Sequence, residues 1–219
     1  MAAAVFESAE EAVARIRDGD TVMVAGFGLA GKPLTLVDAL LRAARRDLTV
    51  ISNNIGEPGK GLDHLLSAGQ IRKAIGSYFT SNPAVAIAQR EGRLQVQLIP
   101  QGTFAEALRA GGAGIPAFYT RASAGTDLAR GKESRTFTDG QEYVLEHALK
   151  ADVALIHAHA ADKLGNLVYR ATSRNFNPMM ATAAETVIAE VGRVVELGEL
   201  DPESIGTPHL YVDVVVALG

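Results

Sequence analysis

A chain of 219 residues, 47% hydrophobic and 21% charged, carries enough apolar side chains to close a core without disulfides or metal, since a chain of this length buries about 70% of its unfolded surface. The formal net charge of −4 argues against a nucleic-acid groove or an anionic membrane surface, which leaves small molecules and proteins as the expected partners. Zero cysteines removes disulfides, thiolate nucleophiles and cysteine zinc sites together.

The opening residues Met1-Ala2-Ala3-Ala4-Val5-Phe6-Glu7 hold no basic run and no long apolar run, and no segment reaches the roughly 18 apolar residues of a membrane span. No targeting or spanning segment is expected, and the expected compartment is the cytoplasm. Ser8-x-x-Glu11 has capping-box spacing, and Ala12, Val13 and Ile16 follow at helical intervals, so a helix opens here and is ended by Asp18-Gly19-Asp20. Short apolar runs at 21–25, 48–52, 71–76 and 93–99 then alternate with helical stretches near 33–46, 61–69, 82–91 and 103–110. These runs are nearly continuous rather than alternating, as in strands covered on both faces. The expected fold class is α/β, an open, mostly parallel sheet flanked by helices.

After Gly111-Gly112-Ala113-Gly114-Ile115-Pro116 the character changes. Residues 121–139 are rich in Gly, Ser, Thr and charge, with little apolar periodicity, and read as a functional or mobile loop. Strands resume at 142–146, 152–158 and 166–170, with Asp162-Lys163-Leu164-Gly165-Asn166 as a turn, and end with 186–191 and 210–217. No repeat, low-complexity tract or linker divides the chain, so 1–219 reads as one domain.

The most informative segment runs Thr21-Val22-Met23-Val24-Ala25-Gly26-Phe27-Gly28-Leu29-Ala30-Gly31-Lys32-Pro33: an apolar strand, a glycine loop and a proline-started helix. Glycine lets main-chain N–H groups approach a ligand, and a helix N-terminus adds partial positive charge for a phosphate, carboxylate or oxyanion. Gly26-x-Gly28-x-x-Gly31 also matches the dinucleotide fingerprint, which further requires an acid about 20 residues on, at the end of the next strand. That strand, Leu48-Thr49-Val50-Ile51-Ser52, ends in Asn53-Asn54, and the acid nearest the right distance, Asp47, precedes it as a turn residue. The nicotinamide reading is therefore disfavoured, while strand, loop and helix stand.

Three other segments close strands with uncharged hydrogen-bonding groups: Ser52-Asn53-Asn54, Ser77-Tyr78-Phe79-Thr80-Ser81-Asn82 and Pro100-Gln101-Gly102-Thr103. In a parallel sheet such ends gather on the carboxyl edge, beside the glycine loop. Singly, each Asn or Gln is a turn former or cap; together they make a site that positions and stabilises but holds no evident nucleophile, acid or base. Ser52, Ser77, Ser123 and Ser173 lie in no G-x-S-x-G elbow and beside no Lys at catalytic spacing. Glu57, in Gly56-Glu57-Pro58-Gly59, reads as a solvated loop acid. His157 and His159, two apart on a strand, share a face that a metal would use, with Asp152 and Asp162 nearby in sequence, but a third ligand is missing and polar packing is the simpler reading; no metal is expected.

This pattern resembles the A (alpha) subunits of family I CoA transferases, which act on 3-oxo acids. Their opening signature runs roughly Asp-Gly-x-x, three apolar residues, Gly-Gly-Phe-x-x-x-Gly-x-Pro, and matches the chain from Gly19 to Pro33. The likeness continues through Asp47-Leu48-Thr49-Val50-Ile51-Ser52-Asn53-Asn54, Pro100-Gln101-Gly102-Thr103, Arg109-Ala110-Gly111-Gly112-Ala113-Gly114-Ile115-Pro116-Ala117-Phe118-Tyr119-Thr120, Arg174-Asn175-Phe176-Asn177-Pro178 and Val195-Glu196-Leu197-Gly198-Glu199-Leu200-Asp201-Pro202-Glu203, essentially the whole chain. Two positions depart. Ala25 replaces the first paired glycine, and Lys32 stands at a usually uncharged position, where a solvent-facing side chain is expected rather than a contact to a CoA phosphate.

The resemblance implies an open α/β fold related to glucosamine-phosphate deaminases and ribose-phosphate isomerases. It also implies CoA transfer between succinyl-CoA and a 3-oxo acid such as acetoacetate, with 3-oxoadipate or acetate as alternative acids. The nucleophilic glutamate is implied to sit on a partner B subunit, in a Ser-Glu-Asn-Gly motif absent here, within a heterodimer or heterotetramer. Coenzyme A would be a substrate, with no permanently bound cofactor. By the same resemblance Ala25, Gly26, Phe27, Gly28, Leu29, Ala30 and Gly31 form the CoA-proximal loop, and Asn53, Asn54 and Gln101 line the acyl or carboxylate pocket. A remoter alternative is a non-catalytic module that binds acyl-CoA or a sugar phosphate.

Overall fold

Apolar runs that leave no face for water stack into one large sheet. A computed structural model describes residues 4–218, so the reading of Met1 to Ala3 lies outside the described residues. The chain begins β1 (Val5–Phe6), α1 (Ala9–Val13), β2 (Thr21–Val24), α2 (Leu34–Ala43), β3 (Leu48–Ile51), α3 (Leu62–Ser67), β4 (Ile71–Gly76), α4 (Pro83–Arg90), β5 (Gln95–Leu98) and α5 (Gln101–Gly112). An excursion follows, β6 (Ala117–Thr120), β7 (Ser134–Thr136) and β8 (Glu142–His147). The chain then returns through β9 (Ala151–Ala158), β10 (Ala160–Asp162), β11 (Leu167–Val168), α6 (Asn177–Thr182), β12 (Ala184–Val191), β13 (Val194–Val195) and β14 (Val214–Ala217).

The large sheet has the order β1-β14-β12-β9-β2-β3-β4-β5, and every neighbouring pair is parallel. Its register explains the continuous apolar runs. Val24 pairs with Leu155, Leu155 with Ile188 and Ile188 with Val214, and this row packs on one face against Ile16, Leu36, Leu40 and Leu65. The neighbouring row, Met23, Ala154 and Val187, faces the other way onto Phe104, Leu108, Phe176 and Met180. With side chains alternating by strand geometry, two buried faces demand apolar residues at every position. Two small sheets, β6-β8-β7 and β11-β10-β13, complete the described residues. No helix among them is long and apolar enough to cross a membrane.

Several boundaries differ from expectation for identifiable reasons. The capping box of α1 is present, with Glu11 N donating to Ser8 Oγ (3.3 Å) and Ser8 N to Glu11 Oε2 (3.0 Å). The helix nonetheless stops at Val13, and Asp20 Oδ2 takes the Arg17 N–H at 2.8 Å in the turn that follows. The helix expected to 46 ends at Ala43 because Ala44 adopts a left-handed φ of 53°. The run at 93–99 yields only β5, an edge strand half open to solvent rather than covered on both faces. Residues 210–211 belong to a short 3-10 turn (His209–Tyr211), and pairing starts only after Asp213, whose Oδ2 caps Val187 N at 2.7 Å. The strand expected at 166–170 pairs only over Leu167–Val168. The 121–139 segment is not all loop, since β7 pairs antiparallel with β8 from Ser134 opposite Val144. The turn at 162–166 stands as expected: Asp162 Oδ1 accepts from the N–H groups of Leu164, Gly165 and Asn166.

Leu155 is fully buried at the centre of the strand row. Leu155→Ala is expected to destabilise the fold by about 2–5 kcal/mol, read in urea denaturation as a lower midpoint at unchanged slope.

Candidate active site

The carboxyl ends of β2 and β3 each run into a tight turn of the same build. Ala25 extends the ladder by one step, its N–H donating to Leu155 O at 3.0 Å, so the alanine in place of a glycine is ordinary strand. Gly26 then turns the chain at φ 107°; a Cβ there would lie 2.9 Å from Lys32 Cα, so only glycine fits. Phe27 and Ala30 close the turn by reciprocal bonds, Phe27 N to Ala30 O (3.0 Å) and Ala30 N to Phe27 O (3.1 Å). At Gly31 a Cβ would fall 2.3 Å from Ser173 O. The segment behind it buttresses the turn: Asn175 Nδ2 donates to Ala30 O, Asn177 Nδ2 to Gly31 O, each at 3.0 Å, and the Phe176 ring lies under Phe27. Gly28, at φ 60°, meets nothing within 4 Å and faces open space.

A second turn follows β3, beyond what the sequence reading foresaw. Gly56 (φ 68°) and Gly61 (φ 57°) bracket Glu57 and Lys60, which bridge through Lys60 N to Glu57 O at 2.9 Å. Its signal is present in the sequence, because Gly56-x-x-x-x-Gly61 repeats the spacing Gly26-x-x-x-x-Gly31 at the end of the next strand. Asn54 Oδ1 accepts from Gly56 N (3.1 Å), while buried Asp63 accepts from Gly59 N (2.8 Å) and Asn82 Nδ2 (2.7 Å). Asn54 thus shapes the second turn.

The three polar strand ends do converge. Buried Asn53 donates from Nδ2 to Ser77 Oγ and to Gln101 Oε1, both at 3.0 Å, and Ser77 also bonds Gln101. Glycine makes this possible: a Cβ at Gly76 would lie 2.1 Å from Ser52 O, so β4 ends against β3 only without a side chain. Gln101 is exposed at the start of α5, and its oxygen is held by Asn53 and Ser77 while its amide N–H groups bond no protein atom among the described residues. That leaves donors presented outward at the carboxyl edge.

Lys32 corrects the expectation of a solvent-facing side chain. It is 3% exposed, and its ammonium donates to Ser52 Oγ at 3.1 Å. Burial pushes its pKa down from 10.5 to about 7. Ser52 therefore does stand beside a lysine in space, 20 residues away in sequence. Complete burial of Ser52 withholds it from an acyl carbonyl, so the pair lacks the access a nucleophile needs.

The N-terminus of α2 is also not a free anion site. Leu36 N donates at 3.1 Å to Glu190 Oε2, a buried carboxylate whose other oxygen lies 3.1 Å from His157 Nδ1. The helix's positive end is neutralised internally. His159 lies past Ala158, the last residue of β9, so the histidines do not share a strand face, and no group of three His, Cys, Asp or Glu able to hold a metal occurs among the described residues. Asp152 caps Thr21 N (2.7 Å) and Asp162 caps its own turn. Glu57 is the solvated loop acid expected, 3.8 Å from exposed Lys60. Asp47, at φ 57°, is the turn residue expected.

A family model described as Coenzyme A transferase matches residues 6–218. Over 215 residues the chain is 50% identical to the A subunit of 3-oxoadipate CoA-transferase from Pseudomonas putida, covering 97% of this chain and 93% of that protein. It is 54% identical over 201 residues to the A subunit of succinyl-CoA:3-ketoacid coenzyme A transferase from Xanthomonas campestris pv. campestris (strain B100), covering 92% and 83%. An acyl-CoA transferase from E. coli O157:H7, solved as a thioester complex with CoA, shares the fold with a TM-score of 0.87 at 23% identity. That match covers 99% of this chain and 50% of the other, so the chain spans half the length of that solved protein. By family model and by identity over nearly its full length, the chain belongs to the coenzyme A transferase family.

Proposed function

We propose that residues 1–219 form, as a single domain, the A subunit of a succinyl-CoA:3-ketoacid CoA transferase, acting in the cytoplasm in a heterodimer or heterotetramer with a B subunit. The observation that carries this reading is a carboxyl edge with two glycine turns and outward amide donors at Gln101, but, among the described residues, with no accessible nucleophile paired to a base. Such an edge positions and stabilises; the bond-making group comes from another chain.

In this reading the thioester carbonyl of succinyl-CoA is attacked by a glutamate carboxylate of the B subunit, which expels CoA thiolate and leaves a mixed anhydride. The thiolate then attacks the glutamyl carbonyl, forming an enzyme thioester and releasing succinate. Acetoacetate reverses the two steps and leaves as its CoA ester. Each step passes through a tetrahedral oxyanion. Preorganised donors aimed at such an oxygen contribute a few kcal/mol apiece, and Gln101 holds its amide in place through Asn53 and Ser77. Residues 25–31 run beside the CoA chain, with Gly28 on the open side, while Asn53 and Asn54 shape the acyl pocket. CoA enters as substrate and no resident cofactor is required. The 3-oxoadipate reading is the second one, favoured by the Pseudomonas putida relative.

The test is CoA transfer from succinyl-CoA to acetoacetate, with 3-oxoadipate and acetate as parallel acids, by the chain alone and coexpressed with a B-type subunit. Activity in the pair only is the expected outcome; activity in the chain alone overturns the half-site reading. In the active pair, Gln101→Ala is expected to lower kcat about tenfold to a thousandfold while the complex still co-purifies. Gly28→Val is expected to abolish turnover through ligand exclusion and left-handed strain, with co-purification again separating loss of chemistry from loss of assembly.

A further inference from the structure

Lys32 is left unused by that mechanism. Its stem runs between the two turns: a Cβ at Gly26 would touch Lys32 Cα at 2.9 Å, and one at Gly61 would stand 3.6 Å from Lys32 Cδ. The ammonium emerges at Ser52 Oγ, one residue before Asn53, where the polar cluster begins.

The charged groups on the elements packed around it are engaged elsewhere. Glu57 and Lys60 face each other on the second turn, and Asp63 of α3 takes Asn82 and Gly59. His64 of α3 contacts Gly59 O, and Glu190 of β12 takes His157 and the start of α2. Among the described residues no carboxylate pairs with Lys32. An ammonium buried without a counter-ion is costly, and an anion brought close offsets that cost.

We infer that Lys32 is a charge-supplying positioning residue: its ammonium, held on the side chain of Ser52, the residue before Asn53, favours an anionic acyl group or oxyanion bound at the Asn53–Gln101 cluster. This rests on the transferase reading above. The side chain is buried and acts through the field and through Ser52, without touching the substrate. Because burial lowers its pKa to about 7, the ammonium is present below that pH and is lost as pH rises through it. An anion bound nearby shifts the balance back toward the charged form.

The experiment is the pH profile of kcat/KM for the assembled pair, with wild type, Lys32→Met and Lys32→Gln. Methionine keeps the stem without charge; glutamine keeps a donor for Ser52 without charge. Both variants are expected to lose about tenfold in kcat/KM near pH 6.5 and to converge on wild type by about pH 8.5, where wild-type Lys32 is itself neutral. The melting temperature of Lys32→Met is expected to equal or exceed that of wild type, since a buried charge has been removed. A profile that superimposes on wild type, or a loss of the same size at every pH, overturns the inference and leaves Lys32 a packing residue. A wild-type pair that transfers CoA to none of the three acids overturns the transferase reading instead, and this inference with it.

Discussion

A parallel sheet buried on both faces has nowhere to place polar side chains except at the ends of its strands. The row Val24, Leu155, Ile188 and Val214 faces one helical layer and its neighbours face the other, so polar groups are pushed to the edges by the cost of desolvating them. At the amino edge they serve as caps, as Asp152 does for Thr21 N and Asp213 for Val187 N. At the carboxyl edge they are concentrated instead, because β2, β3, β4 and β5 all end side by side there.

Concentration needs close approach, and glycine supplies it at three points. Gly76 brings β4 against the Ser52 carbonyl, Gly26 brings the first turn against Lys32, and Gly31 lets the 171–177 segment lock behind that turn. The outcome is a rigid wall whose turns are held by backbone bonds and side-chain buttresses. Rigidity of this kind suits a site that stabilises developing charge, since preorganised groups cost no rearrangement when charge develops.

Much of this was legible in the sequence. Continuous apolar runs separated by helical periodicity gave the parallel sheet, and the runs ending in Asn53, Ser77 and Gln101 gave the converging polar cluster. What was not legible was of two kinds. Elements such as β1, β10, β13 and α6 are too short for periodicity to register, and exist only because tertiary neighbours pair or cover them. Long-range partners were the other kind. The N-terminus of α2 looked available for a ligand anion, yet Glu190, 154 residues away, accepts its Leu36 N–H. Lys32 looked like a surface lysine because lysine usually is one; only the fold reveals that the turns of Gly26 and Gly61 close over its stem.

The buried lysine and the buried glutamate make an instructive pair. Glu190 is surrounded by donors, a histidine ring and a helix N-terminus, which between them satisfy its carboxylate inside the protein. Lys32 has, among the described residues, a single hydroxyl. Satisfied buried charge organises a fold, as Glu190 does by tying β12 to β9 and α2. Unsatisfied buried charge organises nothing by itself, and a neutral side chain of the same length would fill the space at lower cost. Its bond to Ser52, the residue before Asn53, then gives the charge a use that burial alone does not: an electrostatic preference for anions at the place where the polar strand ends meet.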